Sequence, residues 1–377
     1  MKKILFILST LERSGPVNVV YNLVKTIDKS IFIIYILTLS PESKRSCLLN
    51  FLEITNLEIY SLKYSRIIGL LFGFNKTEKI IDKIKPDIIH SHGIRADKIL
   101  SKLKTSAIKI ATVHSFLDKD YIMTYGKFIG KIMCKTDISC LRKMNICIGV
   151  SKSLADQLKN KFYIKNTIGI PNGIDTKKYF TINDNEKKEL RKKLSFNEDD
   201  TVFITTGHLS VGKDPLFLIK QWIIYKKEIL SKIHLYFLGD GELYNECIKN
   251  AIINENIHII GKKENVDEYL KASDYYVSAS RSEGISLSVL EAMACGLPLL
   301  LTDIPPFKEI LSHGNNLGIN YKLDNTKDFI EKLQILLKKD KKEIKKEAAL
   351  TANQIFSIEK MVEQYKNVYM QYDNIYK

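Results

Sequence analysis

The stretch Ser280-Arg281-Ser282-Glu283-Gly284-Ile285-Ser286-Leu287-Ser288-Val289-Leu290-Glu291-Ala292-Met293-Ala294-Cys295-Gly296-Leu297-Pro298 decides how the rest of the chain is read. The apolar run before it, Tyr275 to Ala279, predicts a strand. A polar loop with one glycine then enters a helix expected over Ser288 to Ala294, closed by Gly296 and Pro298. Carboxylates flank the helix start, Glu283 in the loop and Glu291 in the helix. A helix start offers unpaired N–H groups and partial positive charge, so anions settle there. Gly284 lets the backbone approach such an anion closely.

Ser288 and Glu291 also fit a capping box, Ser-x-x-Glu, which needs no ligand, and taken alone capping is the simpler reading. It leaves Glu283 unexplained, a second acid held in a loop before a glycine. Phosphate recognition with an acid on each side suits a sugar nucleotide. The amides take the diphosphate, and carboxylates accept hydrogen bonds from sugar and ribose hydroxyls.

This stretch resembles the Glu-x7-Glu signature of glycosyltransferase family 4, the retaining transferases of GT-B fold. Glu283-Gly284-Ile285 departs from that pattern only in lacking an aromatic, while Glu291-Ala292-Met293-Ala294 with Gly296 and Pro298 matches it. The resemblance implies an α/β chain of two Rossmann-like, doubly wound domains facing across a cleft.

The 377 residues are enough for two domains with substantial cores. No apolar run approaches the ~20 residues that span a bilayer. The apolar start, Ile4 to Leu8, is short and soon followed by Glu12 and Arg13, which favours a buried first strand over a signal peptide. Six scattered cysteines without metal spacing read as reduced thiols, so a cytoplasmic protein is expected. Net charge is +15, and residues 1–170 carry all of it, with 28 basic and 13 acidic residues against 30 and 30 in the remainder. A Lys-rich coding bias would raise both halves, whereas a basic first half suits nucleic acid or an anionic membrane surface.

In that half, the strand Lys3 to Ser9 leads through Ser14-Gly15-Pro16 into a helix expected from Val17 to Ile27, the first turn of a doubly wound domain. No Gly-x-Gly-x-x-Gly follows the strand, so a nicotinamide cofactor has little support. The resemblance puts Gly15 where family members touch the donor. Further strands are expected over Phe32–Leu39, Ile88–Ser91, Ile108–His114 and Ile146–Val150. His90, His92 and His114 sit near strand ends. The first two are as readily structural as functional, while His114 resembles the family's histidine near the donor sugar. The segments 65–74 and 116–143 mix apolar and aromatic residues with basic ones, among them Lys63, Arg66, Lys76, Lys127, Lys131 and Lys135. That mixture suits helices lying in a membrane interface as well as helices covering a sheet. Asp118 and Asp120 form an Asp-x-Asp pair, which reads more simply as a solvated loop than as a metal site.

Ile170-Pro171-Asn172-Gly173-Ile174-Asp175 matches the family's Pro-Asn-Gly-x-Asp segment and sets the domain boundary, giving domains over 1–170 and 171–356. The tail, 357–377, is expected to be a helix that crosses back to the first domain. The second domain begins with the strand Thr201 to Thr206, then Gly207-His208-Leu209-Ser210-Val211-Gly212-Lys213. In the family this loop carries an Arg and a Lys that clamp the donor diphosphate. Lys213 is present, but His208 replaces the Arg. Strands His234–Leu238, Ile257–Ile260 and Leu299–Thr302 follow, and the loop with Lys262 is expected by the nucleotide base.

The resemblance thus implies retaining transfer of a sugar from a nucleotide sugar, with no cofactor and no metal. Lys213 and His208 bind the diphosphate together with the amides of Gly284, Ile285, Ser286 and Leu287. Glu283 holds the donor sugar, Glu291 the ribose, and His114 the sugar from the other domain. The expected acceptor is a glycan, and the basic first half suits one that is lipid-linked: an oligosaccharide on the cytoplasmic leaflet, used in surface polysaccharide assembly. A nucleotide-sugar epimerase of the same fold would turn over donor without acceptor. A non-catalytic nucleic-acid-binding protein would use the same charge, but no nucleic-acid motif is apparent and no nucleic-acid partner is expected.

Overall fold

The computed structural model describes residues 1–44, 46–226 and 232–371, and of residues 66, 67, 70, 71 and 226 only the backbone. Contacts divide the chain into two compact units, Met1–Gly173 with Ile358 onward, and Ile174–Ser357. The division thus falls within the turn cluster 170–175, after Gly173 rather than after residue 170.

The first unit alternates strands and helices: β1 (Lys2–Leu8), α1 (Gly15–Thr26), β2 (Phe32–Thr38), α2 (Leu48–Leu52), β3 (Leu57–Ser61), α3 (Arg66–Ile84), β4 (Ile88–His92), α4 (Ile94–Leu100), β5 (Ile108–Val113), α5 (Leu117–Tyr125), α6 (Lys127–Leu141), β6 (Ile146–Gly149), α7 (Lys152–Asn160) and β7 (Thr167–Gly169). The strands form one parallel sheet in the order β3-β2-β1-β4-β5-β6-β7. Helices cover both faces of such a sheet, so its inner strands are apolar throughout, and Ile4 to Ile7 are fully buried. The Ser14 hydroxyl caps α1 by accepting from the Val17 amide at 3.4 Å, and Pro16 stands in its first turn.

The second unit repeats the plan: α8 (Asp184–Lys193), β8 (Thr201–Thr206), α9 (Pro215–Lys226), β9 (Ile233–Leu238), α10 (Tyr244–Ala251), β10 (Ile257–Gly261), α11 (Val266–Ala272), β11 (Tyr275–Ser278), α12 (Leu287–Ala294), β12 (Leu299–Thr302), α13 (Pro305–Ser312), β13 (Gly318–Tyr321), α14 (Thr326–Leu337) and α15 (Lys341–Ile355). Its parallel sheet runs β10-β9-β8-β11-β12-β13. Both sheets therefore reverse direction beside their first strand, the arrangement that opens a ligand crevice at the carboxyl ends. This is the GT-B pair of Rossmann-like domains.

The last helix, α16 (Ile358–Gln371), packs on the first sheet. Tyr365 and Tyr369 are fully buried, and the Tyr369 hydroxyl lies 2.8 Å from His90 Nδ1. The final residues of the expected tail helix, 372–377, lie outside the described residues. So does the Arg66 side chain named among the basic flanks. Among the described residues, no helix is long and apolar enough to cross a membrane.

Candidate functional site

In the second unit, four loops leave the carboxyl ends of β8, β9, β10 and β11 side by side. The β8 and β9 loops touch backbone to backbone: a Cβ on Gly239 would stand 1.8 Å from the Gly207 carbonyl oxygen, so only glycine fits. The β8 and β11 loops are stitched together by the Arg281 amide, which donates to the Gly212 carbonyl at 2.8 Å. The Arg281 guanidinium reinforces this by donating to Asp214 at 2.8 Å and Asp324 at 3.0 Å.

Between these loops, the Lys213 ammonium donates to the Glu283 carboxylate. Lys213 is about a third exposed (31%) and Glu283 nearly buried (12%). Burial works against the lysine's charge, but the Glu283 carboxylate outweighs it and raises the lysine's pKa, so Lys213 is a fixed cation. His208 stands more open to solvent, with Nε2 2.9 Å from a Glu242 carboxylate oxygen. His208 and Lys213 both border a water-sized cavity floored by Thr206, Tyr276, Ser278 and Ser280. The hydroxyl oxygens of Thr206 and Ser282 are buried without a partner, which is uncommon enough to suggest that a ligand completes them.

The capping box expected at Ser288 and Glu291 is not formed. The N-cap of α12 is Ser286, and no side chain accepts from the helix's first amides. Ser288 Oγ instead meets Tyr276 OH at 2.9 Å and Ser286 Oγ at 3.0 Å. The Glu291 carboxylate is turned to Tyr179, whose hydroxyl donates to it. Burial pushes the Glu291 carboxyl up to about 7, against the pull of Tyr179 and Lys178. The amides of Gly284, Ile285, Ser286 and Leu287 consequently have no acceptor among the described residues. Lys262 lies exposed in the β10 loop at the same sheet edge.

In the first unit, the strand ends carry a run of histidines. His92 Nδ1 and His114 Nε2 are 2.9 Å apart, and His90 Nε2 meets Thr112 Oγ1 at 2.8 Å. Burial lowers all three, His90 to about 3 and His114 to about 4, so all are neutral. His90 belongs to the packing of α16, while His92 Nε2 is buried without a partner and faces the β1–α1 loop. Gly15, in the first turn of α1, has open space where a side chain would stand. Asp118 and Asp120 are spent locally: Asp118 is paired with Lys161 and accepts from Gln157 at 3.2 Å, and Asp120 accepts from Ser115 at 3.1 Å.

Two adjoining family models match the chain, "Glycosyltransferase Family 4" over residues 13–178 and "Glycosyl transferases group 1" over residues 186–354. The chain belongs to glycosyltransferase family 4. An Escherichia coli relative, UDP-Gal:alpha-D-GlcNAc-diphosphoundecaprenol alpha-1,3-galactosyltransferase, is 28% identical over 65% of this chain and 63% of its own length. The match thus spans somewhat less than two thirds of that relative. The O-antigen biosynthesis glycosyltransferase WclY of Escherichia coli is 25% identical over 97% of this chain and 98% of its own. Among solved structures, sucrose-phosphate synthase from Thermosynechococcus elongatus superposes with a TM-score of 0.81 over the whole of both chains at 14% identity, a likeness of fold.

In this family 4 chain, sequence reasoning missed Tyr179 and Arg281 as parts of the site and left His92 open between a structural and a functional role. Arg281 carried a signal, since it lies within the deciding stretch. Tyr179 becomes visible only when the fold brings Glu291 near.

Proposed function

We propose that this protein is a retaining glycosyltransferase that moves a sugar from a nucleoside diphosphate sugar to a hydroxyl of a lipid-linked oligosaccharide, in surface polysaccharide synthesis. The observation that carries the reading is the fixed Lys213 cation, paired with Glu283 beside the uncapped start of α12. Without donor, Glu283 neutralises Lys213. With donor, the diphosphate takes the ammonium and the free amides of residues 284–287, and Glu283 turns to a sugar hydroxyl. Glu291 and Tyr179 face the ribose, and His114, neutral by burial, hydrogen-bonds the sugar.

The bond from the anomeric carbon to the diphosphate oxygen breaks as the acceptor oxygen attacks from the same face, and the acceptor's proton passes to the departing diphosphate. Cationic and amide donors stabilise the charge that develops there, so the reaction proceeds without a divalent ion. The lipid-linked acceptor is supported by the name of the galactosyltransferase relative and by the surplus of positive charge in residues 1–170. That surplus also supports a place at the anionic inner face of the cell membrane.

A thermal-shift panel of UDP, GDP and ADP compounds fixes the donor class. Turnover of the stabilising sugar nucleotide with a diphospholipid-linked sugar, in excess chelator, then tests the reaction, and the anomeric proton coupling of the product tests retention. Activity that vanishes with chelator and returns with Mg²⁺ would remove the metal-free mechanism, and an inverted product would remove retention.

A further inference from the structure

The first unit holds a cavity of about 310 Å³ that the donor chemistry does not use. Its floor is Leu39 and Leu62, just past the ends of β2 and β3. Its walls are α3, α4 and α6, which contribute Phe74, Ile99, Ile132 and Met133. The two segments whose mixture of apolar and basic residues stood out in the sequence therefore meet at one place. On α6 the positions 129, 132, 133 and 136 share a face, as spacings of three and four require. The inner part of that face lines the cavity, while Phe128, Ile129 and Ile132 are 78%, 56% and 51% exposed. Two cations of α4, Arg95 and Lys98, and Lys102 in the turn that follows it border the same cavity. Arg95 donates to Ser40 Oγ at 2.9 Å, and Lys98 and Lys102 have no ion-pair partner among the described residues.

We propose that this cavity receives a segment of the hydrocarbon chain of an anionic lipid, the anchor of the acceptor, with its phosphate beside Lys98, Lys102 and Arg95. The assignment rests on the acceptor class proposed above and adds where the anchor is held. The volume is at the lower end of the ~300–1,000 Å³ usual for small-molecule pockets, which suits a chain segment rather than a whole long lipid. The remainder of the chain leaves along Ile132, Ile129 and Phe128. A neutral apolar ligand would leave Lys98 and Lys102 unexplained, and a phosphate alone would leave the apolar walls unexplained. Charge and shape together select an amphiphile.

Dodecyl phosphate, below its aggregation concentration, is the probe, titrated calorimetrically into the full chain without donor. Inorganic phosphate and dodecyl maltoside separate the head from the chain. Each buried CH₂ is worth about fourfold in affinity, so dodecyl phosphate should bind at least tenfold more tightly than decyl phosphate, and inorganic phosphate should not bind measurably. Ile99→Trp, which fills the cavity, should weaken dodecyl phosphate tenfold or more, and Thr136→Phe does the same from the opposite wall should the first variant fail to fold. Lys98→Glu with Lys102→Glu should weaken dodecyl phosphate about tenfold and leave dodecyl maltoside unchanged. An unaltered affinity in a folded cavity-filling variant, or equal affinities for decyl and dodecyl phosphate, would overturn the proposal. Capture by phosphatidylglycerol vesicles that survives Ile99→Trp, with no binding of the monomeric probe, would overturn it too, in favour of a surface patch. Because the readout needs no turnover, failure of the transferase reading and failure of this site are told apart: stabilisation by any of the UDP, GDP and ADP compounds reports the first and probe binding the second.

Discussion

In the second unit, the carboxyl ends of the strands carry charges in pairs: Lys213 with Glu283, Arg281 with Asp214 and Asp324, His208 with Glu242. In the first unit, the equivalent ends carry neutral histidines and an apolar cavity. The sheets share one strand order, so the difference lies in what the loops were given to hold. Paired charges keep cations in place until an anion displaces the carboxylate. Neutral histidines and apolar walls suit uncharged sugar and hydrocarbon. The largest break in this contrast should come from removing the central cation. Lys213→Ala should lower kcat by about 10²–10³, the usual effect of losing one donor to developing negative charge. The same variant should bind UDP more weakly in a thermal-shift titration. A variant that keeps more than a tenth of the parent kcat would show that the ammonium does not face the leaving group.

Protonation should distinguish the units in opposite directions. In the first, folded His90 and His114 take a proton only near 3 and 4, whereas unfolded they do so near 6.5. The unfolded chain therefore binds more protons as pH falls, and stability present above 6.5 is lost towards acid. By pH 5.5 each of these two contributes a loss of about 1.4 kcal/mol, roughly 3 kcal/mol together, and His92 acts in the same direction. Scanning calorimetry should show the transition that UDP does not shift falling by several degrees between pH 7.5 and 5.5. Constancy of that transition would mean that the histidines are hydrated rather than buried.

In the second unit the sign reverses at Glu291. Its folded pKa of about 7 exceeds the ordinary 4.5, so the folded form keeps a proton that the unfolded form has lost. Stability from this group is full below 4.5 and is lost as pH rises through 7, by about 3 kcal/mol in total. Glu291→Gln removes that loss, and at pH 8 the UDP-sensitive transition should rise by a few degrees over the parent's. A fall instead would mean that the carboxylate is stabilised by its neighbours more than burial opposes it.

The fold was readable where burial is complete on both faces. Inner strands such as Ile4–Leu8 and Leu299–Thr302 are unbroken apolar runs, and the sequence located them. The strands it did not locate, β3, β7 and β13, all stand at sheet edges, where the pattern is mixed, as in Leu57-Glu58-Ile59-Tyr60-Ser61; the fourth edge strand, β10, was located by its largely apolar run from Ile257 to Ile260. Of the candidate site, Lys213 stood out only through the family resemblance, and Glu283 because an acid held in a loop before a glycine is not explained by helix capping. The capping box that the spacing allowed does not form because Ser288 and Glu291 have better partners in Tyr276 and Tyr179, which spacing along one helix does not reveal. The cavity of the first unit was half legible: both contributing segments stood out, but their meeting is a property of the sheet that carries them.

The smallest and most diagnostic change is His208→Arg. An imidazole offers phosphate one donor unless protonated, whereas a guanidinium offers a fork with permanent charge. Two effects oppose the gain. His208 is 61% exposed, and Glu242 stands ready to pair with whatever cation occupies the position. Exposed pairs are worth about 0–1 kcal/mol, so Glu242 reduces the benefit without abolishing it. The stabilising nucleoside diphosphate should therefore bind about three- to tenfold more tightly to His208→Arg. Glu242→Gln should enlarge the gain in the double variant, since it removes the competing carboxylate. Should the single variant match the parent in affinity, His208 lies beside the diphosphate path rather than on it, and Lys213 with the α12 amides carries the phosphate alone.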